Sequence, residues 1–254
     1  VCGAAHGAHA FLTYDGFKRH ARLRGFMNSM PSATNDRPER RVTVWDLPTR
    51  LFHWLTVVLV AAAYVTQRMN WMQTHVRVGE TLLALVLFRI LWGCFGSETA
   101  RFSRFVASPR KAIEHLRHLL RREPDVQVGH NAAGGWMVLL LLALLLVETL
   151  TGLYDNNDIA DEGPLSETVP AKIANAIGDL HAWGWDLLAA AVVLHVCAIA
   201  VYALVKGHDL IGPMVSGRKR LPASVRAPAR ASLWLAVLLM GFSAMVVALL
   251  AAYL

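Results

Sequence analysis

Charged residues are scarce in this sequence: Asp, Glu, Lys and Arg make up 17% of its 254 residues against 55% hydrophobic ones. A soluble chain carries about a quarter charged residues, so a soluble fold of this length is a poor fit. Cysteine is also sparse. Cys2, Cys94 and Cys197 lie far apart with no C-x-x-C pair and no C-x-x-C-H, which argues against zinc ribbons, iron–sulfur clusters and covalent haem attachment. Cys94 and Cys197 read as packing residues. There is no glycine-rich phosphate loop, no H-E-x-x-H, no G-x-S-x-G and no solenoid period, which removes the nucleotide, zinc-protease and serine-hydrolase readings.

Residues 1–41 lack a sustained apolar period, and their start lacks the basic-then-apolar layout of a secretory signal. Little fixed structure is expected there, and His6, His9 and His20 are given no role. Met27 and Met30 sit just before the polar lead-in to the first apolar run, so the preceding segment reads as an over-extended frame. Peptides covering residues 11–18 should then be missing from mass spectra of the native protein.

What the chain has is apolar and clustered, in runs at 51–66, 78–95, 135–154, 181–205 and 232–254. Each is long enough, with a turn borrowed from its flanks, to cross a hydrocarbon core of about 30 Å as a helix. Pro48 suits the first turn of the first helix, and the second begins near His75. The net charge of +7 is sorted by loop. Arg37, Arg40, Arg41 and Arg50 precede the first run, seven basic residues lie between Arg101 and Arg122, and six between Lys206 and Arg230. The third loop holds Asp155, Asp158, Asp161, Glu162, Glu167 and Asp179 against Lys172 alone. Basic loops stay cytoplasmic, so the amino terminus, second loop and fourth loop face inward and the third faces out. The partner implied by this charge is a lipid bilayer, not nucleic acid. The expected fold class is all-α and polytopic: an N-terminal segment over 1–41, a four-helix domain over 42–210, a basic connection over 211–231, and a fifth span over 232–254.

Four of the eleven histidines lie in or at the edges of these runs: His53, His75, His181 and His195. His181 and His195 are fourteen residues apart in one run. At about 3.6 residues per turn both face the same way, roughly 21 Å apart along the axis. Gly184 and Ala191 lie between them on that side, leaving room for a flat group, although small residues also simply let helices approach. Depths match in pairs: His75 and His181 at the outer side, His53 and His195 towards the cytoplasm. Two interhelical imidazole pairs at two depths are what two b-type haems need. Zinc fits less well at that spacing, and a transporter's interrupted helices are not visible.

Other polar residues have weaker readings. Arg89, inside the second run, either snorkels, the favoured reading, or meets an anion. Glu148, inside the third, either relays protons or, by default, pairs with a neighbour. Residues 109–122 read as an amphipathic surface helix with His115 and His118 in its solvated context. His130 lies in the lead-in to the third run, and the fifth run, without an ionisable side chain, reads as an anchor or partner-facing helix.

The segments V-W-D-L-P-T-R-L-F-H-W-L around His53, T-H-V-R-V-G-E-T-L-L-A-L-V-L-F-R around His75, and L-H-A-W-G-W-D…L-H-V around His181 and His195 closely resemble the bacterial cytochrome b561 family. That family is similar to the b-type cytochrome subunits of nickel-iron hydrogenases. The resemblance spans roughly 42–219 and implies a four-helix transmembrane dihaem bundle in the bacterial inner membrane, with two non-covalent haem b groups. His53 and His195 would ligate the cytoplasmic-side iron, and His75 and His181 the periplasmic-side iron. The implied work is outer-sphere electron transfer, without catalytic side chains, between a quinone pool or a hydrogenase or dehydrogenase partner and a periplasmic protein such as a c-type cytochrome. Quinone is left open as a further cofactor, and Arg50 and Arg89 are candidate partners of the haem propionates. The fifth span and the long second loop depart from the minimal four-helix pattern. The alternative is a haem-free membrane anchor or proton-coupled transporter whose histidines titrate.

Overall fold

The computed structural model describes residues 39–117, 127–155 and 163–253. The chain divides into a unit over Val1–Glu39, of which only Glu39 is described, and a unit over Arg40–Leu254, which holds all five spans. His6, His9, His20, His118, Asp158, Asp161 and Glu162 lie outside the described residues.

The W-D-x-P entry shows how the first span starts. Asp46 caps α1 (Leu47–Arg68): its Oδ1 accepts the Thr49 N–H at 2.8 Å, and Pro48 sits in the first turn, where no backbone donor is needed. The second carboxylate oxygen, Oδ2, accepts the indole N–H of Trp92 at 3.1 Å. Trp92 is fully buried near the end of α2 (Met72–Phe95), so one aspartate caps one helix and ties it to the next. At the other end the connection is only Met69–Trp71. Asn70 takes the left-handed conformation at φ 56°, which asparagine tolerates, and the Trp71 N–H returns to the Thr66 carbonyl at 2.8 Å. The α1–α2 hairpin is thus pinned at both ends, and it separates His53 and His75 in depth.

Two short helices follow, α3 (Phe102–Phe105) and α4 (Pro109–Arg117), then the third span, α5 (Ala132–Thr151). Its start is set by Asn131, whose Oδ1 accepts the Gly134 N–H at 2.7 Å, and not by a break at the two glycines. Gly135 serves packing instead: a Cβ there would lie 2.7 Å from the Phe105 carbonyl oxygen. The fourth span, α6 (Ala171–Val201), starts ten residues before the apolar run does, so His181 lies well inside it. It continues as a π-helical turn over Tyr202–Lys206 and stops at Gly207, which takes a φ of 72° that disfavours any side chain.

The basic connection after α6 is folded: a short helix α7 (Ile211–Ser216) leads into strand β2 (Arg218–Pro222), which pairs with strand β1 (Glu39–Thr43). The all-α expectation therefore holds for the spans but misses this two-stranded cap. Val42, Val44, Trp45 and Leu221 form its small core, with Met214 and Val225 packed against it. Arg50 fastens the cap to α1 by donating to the Val215 carbonyl at 2.5 Å. The fifth span, α8 (Leu233–Tyr253), packs along α2, joining Phe88, Trp92 and Ala236 in one cluster and Leu83 with Val247 in another. With α1, α5 and α8 around it, α2 is the centre of the bundle.

Replacing Asp46 with Ala removes the cap and leaves the Trp92 N–H buried without an acceptor. A loss of about 2–3 kcal/mol of stability is expected in thermal unfolding of the detergent-solubilised protein. Asp46→Asn, whose single amide oxygen can accept from only one of the two N–H groups, should lose less, and a loss below about 0.5 kcal/mol in Asp46→Ala would show that the carboxylate bridge is unimportant.

Candidate functional site

At the end of the bundle opposite the cap, the α1–α2 hairpin brings His75 against His181. Their ring centroids are 6.3 Å apart and their planes cross at 81°. His75 donates from Nδ1 to the Ala63 carbonyl at 2.9 Å, and His181 from Nδ1 to the Glu148 carbonyl at 3.0 Å. A carbonyl only accepts, so each proton is fixed on Nδ1 and each Nε2 keeps its lone pair, the tautomer a metal-ligating imidazole needs. Thr151 Oγ1 at 3.1 Å and Glu148 Oε1 at 3.5 Å complete the surroundings of His181 Nδ1. Glu148 thus pairs with a neighbour, as its place inside an apolar run leads one to expect. Two metal–nitrogen bonds of about 2 Å each fit within the 6.3 Å, the rest being the half-widths of the two rings.

At the cap end, His53 on α1 and His195 on α6 make no ring contact but stand within electrostatic range of each other and of His130. Buried polar atoms without a hydrogen-bond partner gather here. Thr49 Oγ1, Arg50 Nε, His53 Nδ1, Thr56 Oγ1, Arg89 Nη1 and His130 Nδ1 are six of the seven such atoms among the described residues, and the seventh is Glu148 Oε2 beside the other pair. Protein interiors satisfy more than about 90% of buried polar groups, so this clustering fits a site built to meet a polar ligand.

The two pairs lie towards opposite ends of α6, along the slot between it and the α1–α2 hairpin. The α6 backbone packs closely on α5 but not on α1 or α2, the helices that carry His53 and His75. Val86, Leu145 and Leu188 fill the middle of the slot and separate the pairs. On α6, His181, Gly184, Leu188, Ala191 and His195 share the inward face, with both small residues buried. Gly184 is not open room, however. Its Cα lies against the Glu148 carboxylate, with which a Cβ would collide. Among the described residues no three of His, Cys, Asp and Glu converge as a bare-metal site.

Two expectations change, for Arg89 and His115. Arg89 does not snorkel: it is 2% exposed, with its guanidinium 5.1 Å from the Phe102 ring centre. His115 is not simply solvated, since its Nε2 is 2.6 Å from the Tyr202 hydroxyl, which also accepts from Asn131 Nδ2 at 2.7 Å. Tyr202 lies seven residues beyond His195 on the same helical face and binds α4, α5 and α6 together; the heptad spacing His181, Leu188, His195, Tyr202 is the signal that could reveal it. His130 is held between the Trp45 and Phe105 rings, at 4.6 and 4.7 Å. Burial pushes its imidazole down to about 3, helped by the positive charge of Arg89 and then by His195 and His53, so it is neutral at physiological pH. Nothing in its local sequence signals this.

Five apolar helices of spanning length with paired imidazoles at two depths describe a membrane b-type cytochrome. The prokaryotic cytochrome b561 family matches residues 44–217, and the chain belongs to that family. Haem b and electron transport come with that membership. The match takes in all four span histidines and ends at Gly217, before β2 and α8. The "Probable Ni/Fe-hydrogenase B-type cytochrome subunit" of Bradyrhizobium diazoefficiens is 24% identical over 70% of this chain and 86% of its own length. That of Azotobacter chroococcum is 25% identical over 71% and 89%, and the "Probable Ni/Fe-hydrogenase 1 B-type cytochrome subunit" of Escherichia coli K12 is 25% identical over 68% and 88%. No solved structure matches the chain.

A leucine at Ala191, or at Gly184 where it also displaces Glu148, overpacks the slot face by about 1–3 kcal/mol. Haem retained per chain after purification should fall at least severalfold in Gly184→Leu and Ala191→Leu. It should hold in Ala182→Leu, which changes an exposed position on the far side of α6. Equal retention in all three would disconnect the small-residue face from haem binding.

Proposed function

We propose that this chain is a dihaem electron carrier of the bacterial cytoplasmic membrane, with His53 and His195 holding one haem b at the cytoplasmic side and His75 and His181 holding the other at the periplasmic side. The observation that carries this reading is the His75–His181 pair, with each Nδ1 committed to a backbone carbonyl and the rings 6.3 Å apart. His53 and His195, towards the other end of α6, stand within electrostatic range of each other without a ring contact, among buried polar atoms that need partners. Bound haem b supplies a one-electron iron couple. The protein's own part is to fix the ligand tautomers, set the spacing along α6 and keep water out of the slot between Val86, Leu145 and Leu188.

Orientation follows from charge. The cap end carries Arg40, Arg41, Arg104, Arg110, Lys111, Arg218, Lys219 and Arg220, whereas the opposite end carries Asp155, Glu167 and Asp179 beside only Arg68, Arg77 and Lys172 as basic residues. The cap and the amino terminus therefore face the cytoplasm. The names of the relatives make a nickel-iron hydrogenase the first candidate partner, with another dehydrogenase as the variant of the same role. A quinone exchanging electrons at one haem, and a soluble acceptor such as a c-type cytochrome steered by the acidic end, complete the proposed path.

The reduced-minus-oxidised spectrum of the purified protein tests this. Dithionite should give b-type bands with two haems per chain in the pyridine assay. His53→Ala and His195→Ala should lose one and the same haem, and His75→Ala and His181→Ala the other. If His195→Ala and His75→Ala lost the same haem, the pairing would be wrong. A protein without haem would leave the anchor or proton-coupled transporter reading.

A further inference from the structure

We propose that Arg89 is the buried counter-charge of a propionate carboxylate on the cytoplasmic-side haem and thereby holds that haem's reduction potential up. The inference rests on the dihaem reading. Arg89 lies within the membrane-spanning part of α2, is 2% exposed, and its Nη1 is buried without a hydrogen-bond partner. The Phe102 ring, 5.1 Å from the guanidinium carbon, offers a polarisable face but no charge.

The one protein carboxylate whose charge Arg89 feels is Asp46. That carboxylate is committed on both oxygens, to the Thr49 N–H and to the Trp92 indole, and among the described residues Arg89 forms no ion pair. His130 is also within its electrostatic range, and His130 in turn feels His53 and His195. These histidines are neutral or cationic, so Asp46 offsets Arg89 only at a distance and, among the described residues, no protein anion contacts the guanidinium. A guanidinium cannot shed its proton to relieve burial, and an unpaired buried charge is strongly destabilising. The group that this reading brings to His53 and His195 carries two carboxylates, which are anions of the required kind.

Arg50 is the other candidate at this depth, but it is already engaged. It donates from Nη1 to the Val215 carbonyl and so holds the cap, and its Nε is buried without a partner. Arg89 has no such structural duty. The electrostatic consequence has a definite sign. A propionate anion stabilises the ferric state and the Arg89 cation offsets it, so removing Arg89 must make the haem harder to reduce.

Spectroelectrochemistry of the intact dihaem protein tests this. In Arg89→Gln the cytoplasmic-side couple should become at least tenfold harder to reduce, about 59 mV for one electron. The other haem should barely move. Arg104→Gln, an exposed arginine at the same end, should leave both couples unchanged. A cytoplasmic-side couple that stays within twofold of wild type, or two couples that move together, would overturn the assignment. Should Arg89→Gln fail to retain that haem, Arg89→Lys with haem labelled with carbon-13 at its propionate carboxyls gives a second reading. The labelled carboxylate band in the redox-difference infrared spectrum should shift relative to wild type, and an unshifted band overturns the proposal. A wild-type protein without haem would instead sink the dihaem reading itself.

Discussion

An imidazole inside a bilayer offers a fixed lone pair to a metal when its other nitrogen has an acceptor for its proton. The His75–His181 end of this bundle is arranged around that constraint. In the span of a helix every backbone carbonyl normally accepts one helical bond, but its second lone pair can still accept from a side chain. Ala63 supplies its carbonyl in the last turns of α1 just before the hairpin, and Glu148 supplies its own near the end of α5. The hairpin turn at Asn70 and the end of α5 at Thr151 therefore do more than connect spans, because they place acceptors at the depth of His75 and His181.

The cap serves the other end differently, because His53 Nδ1 there has no hydrogen-bond partner and the cap supplies rigidity instead. Asp46, Trp92 and Arg50 join α1, α2 and the connection after α6 into one rigid corner, and His53 lies one to two turns inside it. Rigidity matters for outer-sphere transfer, since a haem that rocks in its site loses rate to reorganisation. The side-by-side packing of α8 on α2 extends this corner along the whole span, although α8 lies beyond the part of the chain that matches the family. One face of this span packs on the central helix, while Leu238, Phe242 and Met245 on the rest of it stay exposed.

Much of the bundle is legible in the sequence, and for identifiable reasons. Spans are set by hydropathy over about twenty residues, a signal strong enough to place all five, and histidine is rare enough in such runs to expose the four ligand candidates. Boundaries are less legible. The α6 start is obscured because Lys172, Asn175 and Asp179 interrupt the apolar run while remaining compatible with helix, and Gly134–Gly135 resembles a break although Gly135 serves packing against Phe105. The cap is invisible because β1 and β2 bury only one residue each of five, so neither shows alternation. The surroundings of Arg89, His115 and His130 depend on which side chains the folded chain brings to them from distant positions, and no local pattern carries that.

The central claim is that two irons sit between imidazole pairs at opposite ends of α6. Near-infrared magnetic circular dichroism of the fully oxidised protein reads axial ligation directly. Two low-spin ferric haems per chain are expected, both with bis-imidazole signatures, one lost on replacing His53 or His195 and the other on replacing His75 or His181. A single haem per chain, or a methionine or water ligand on either iron of the unmodified protein, would contradict it.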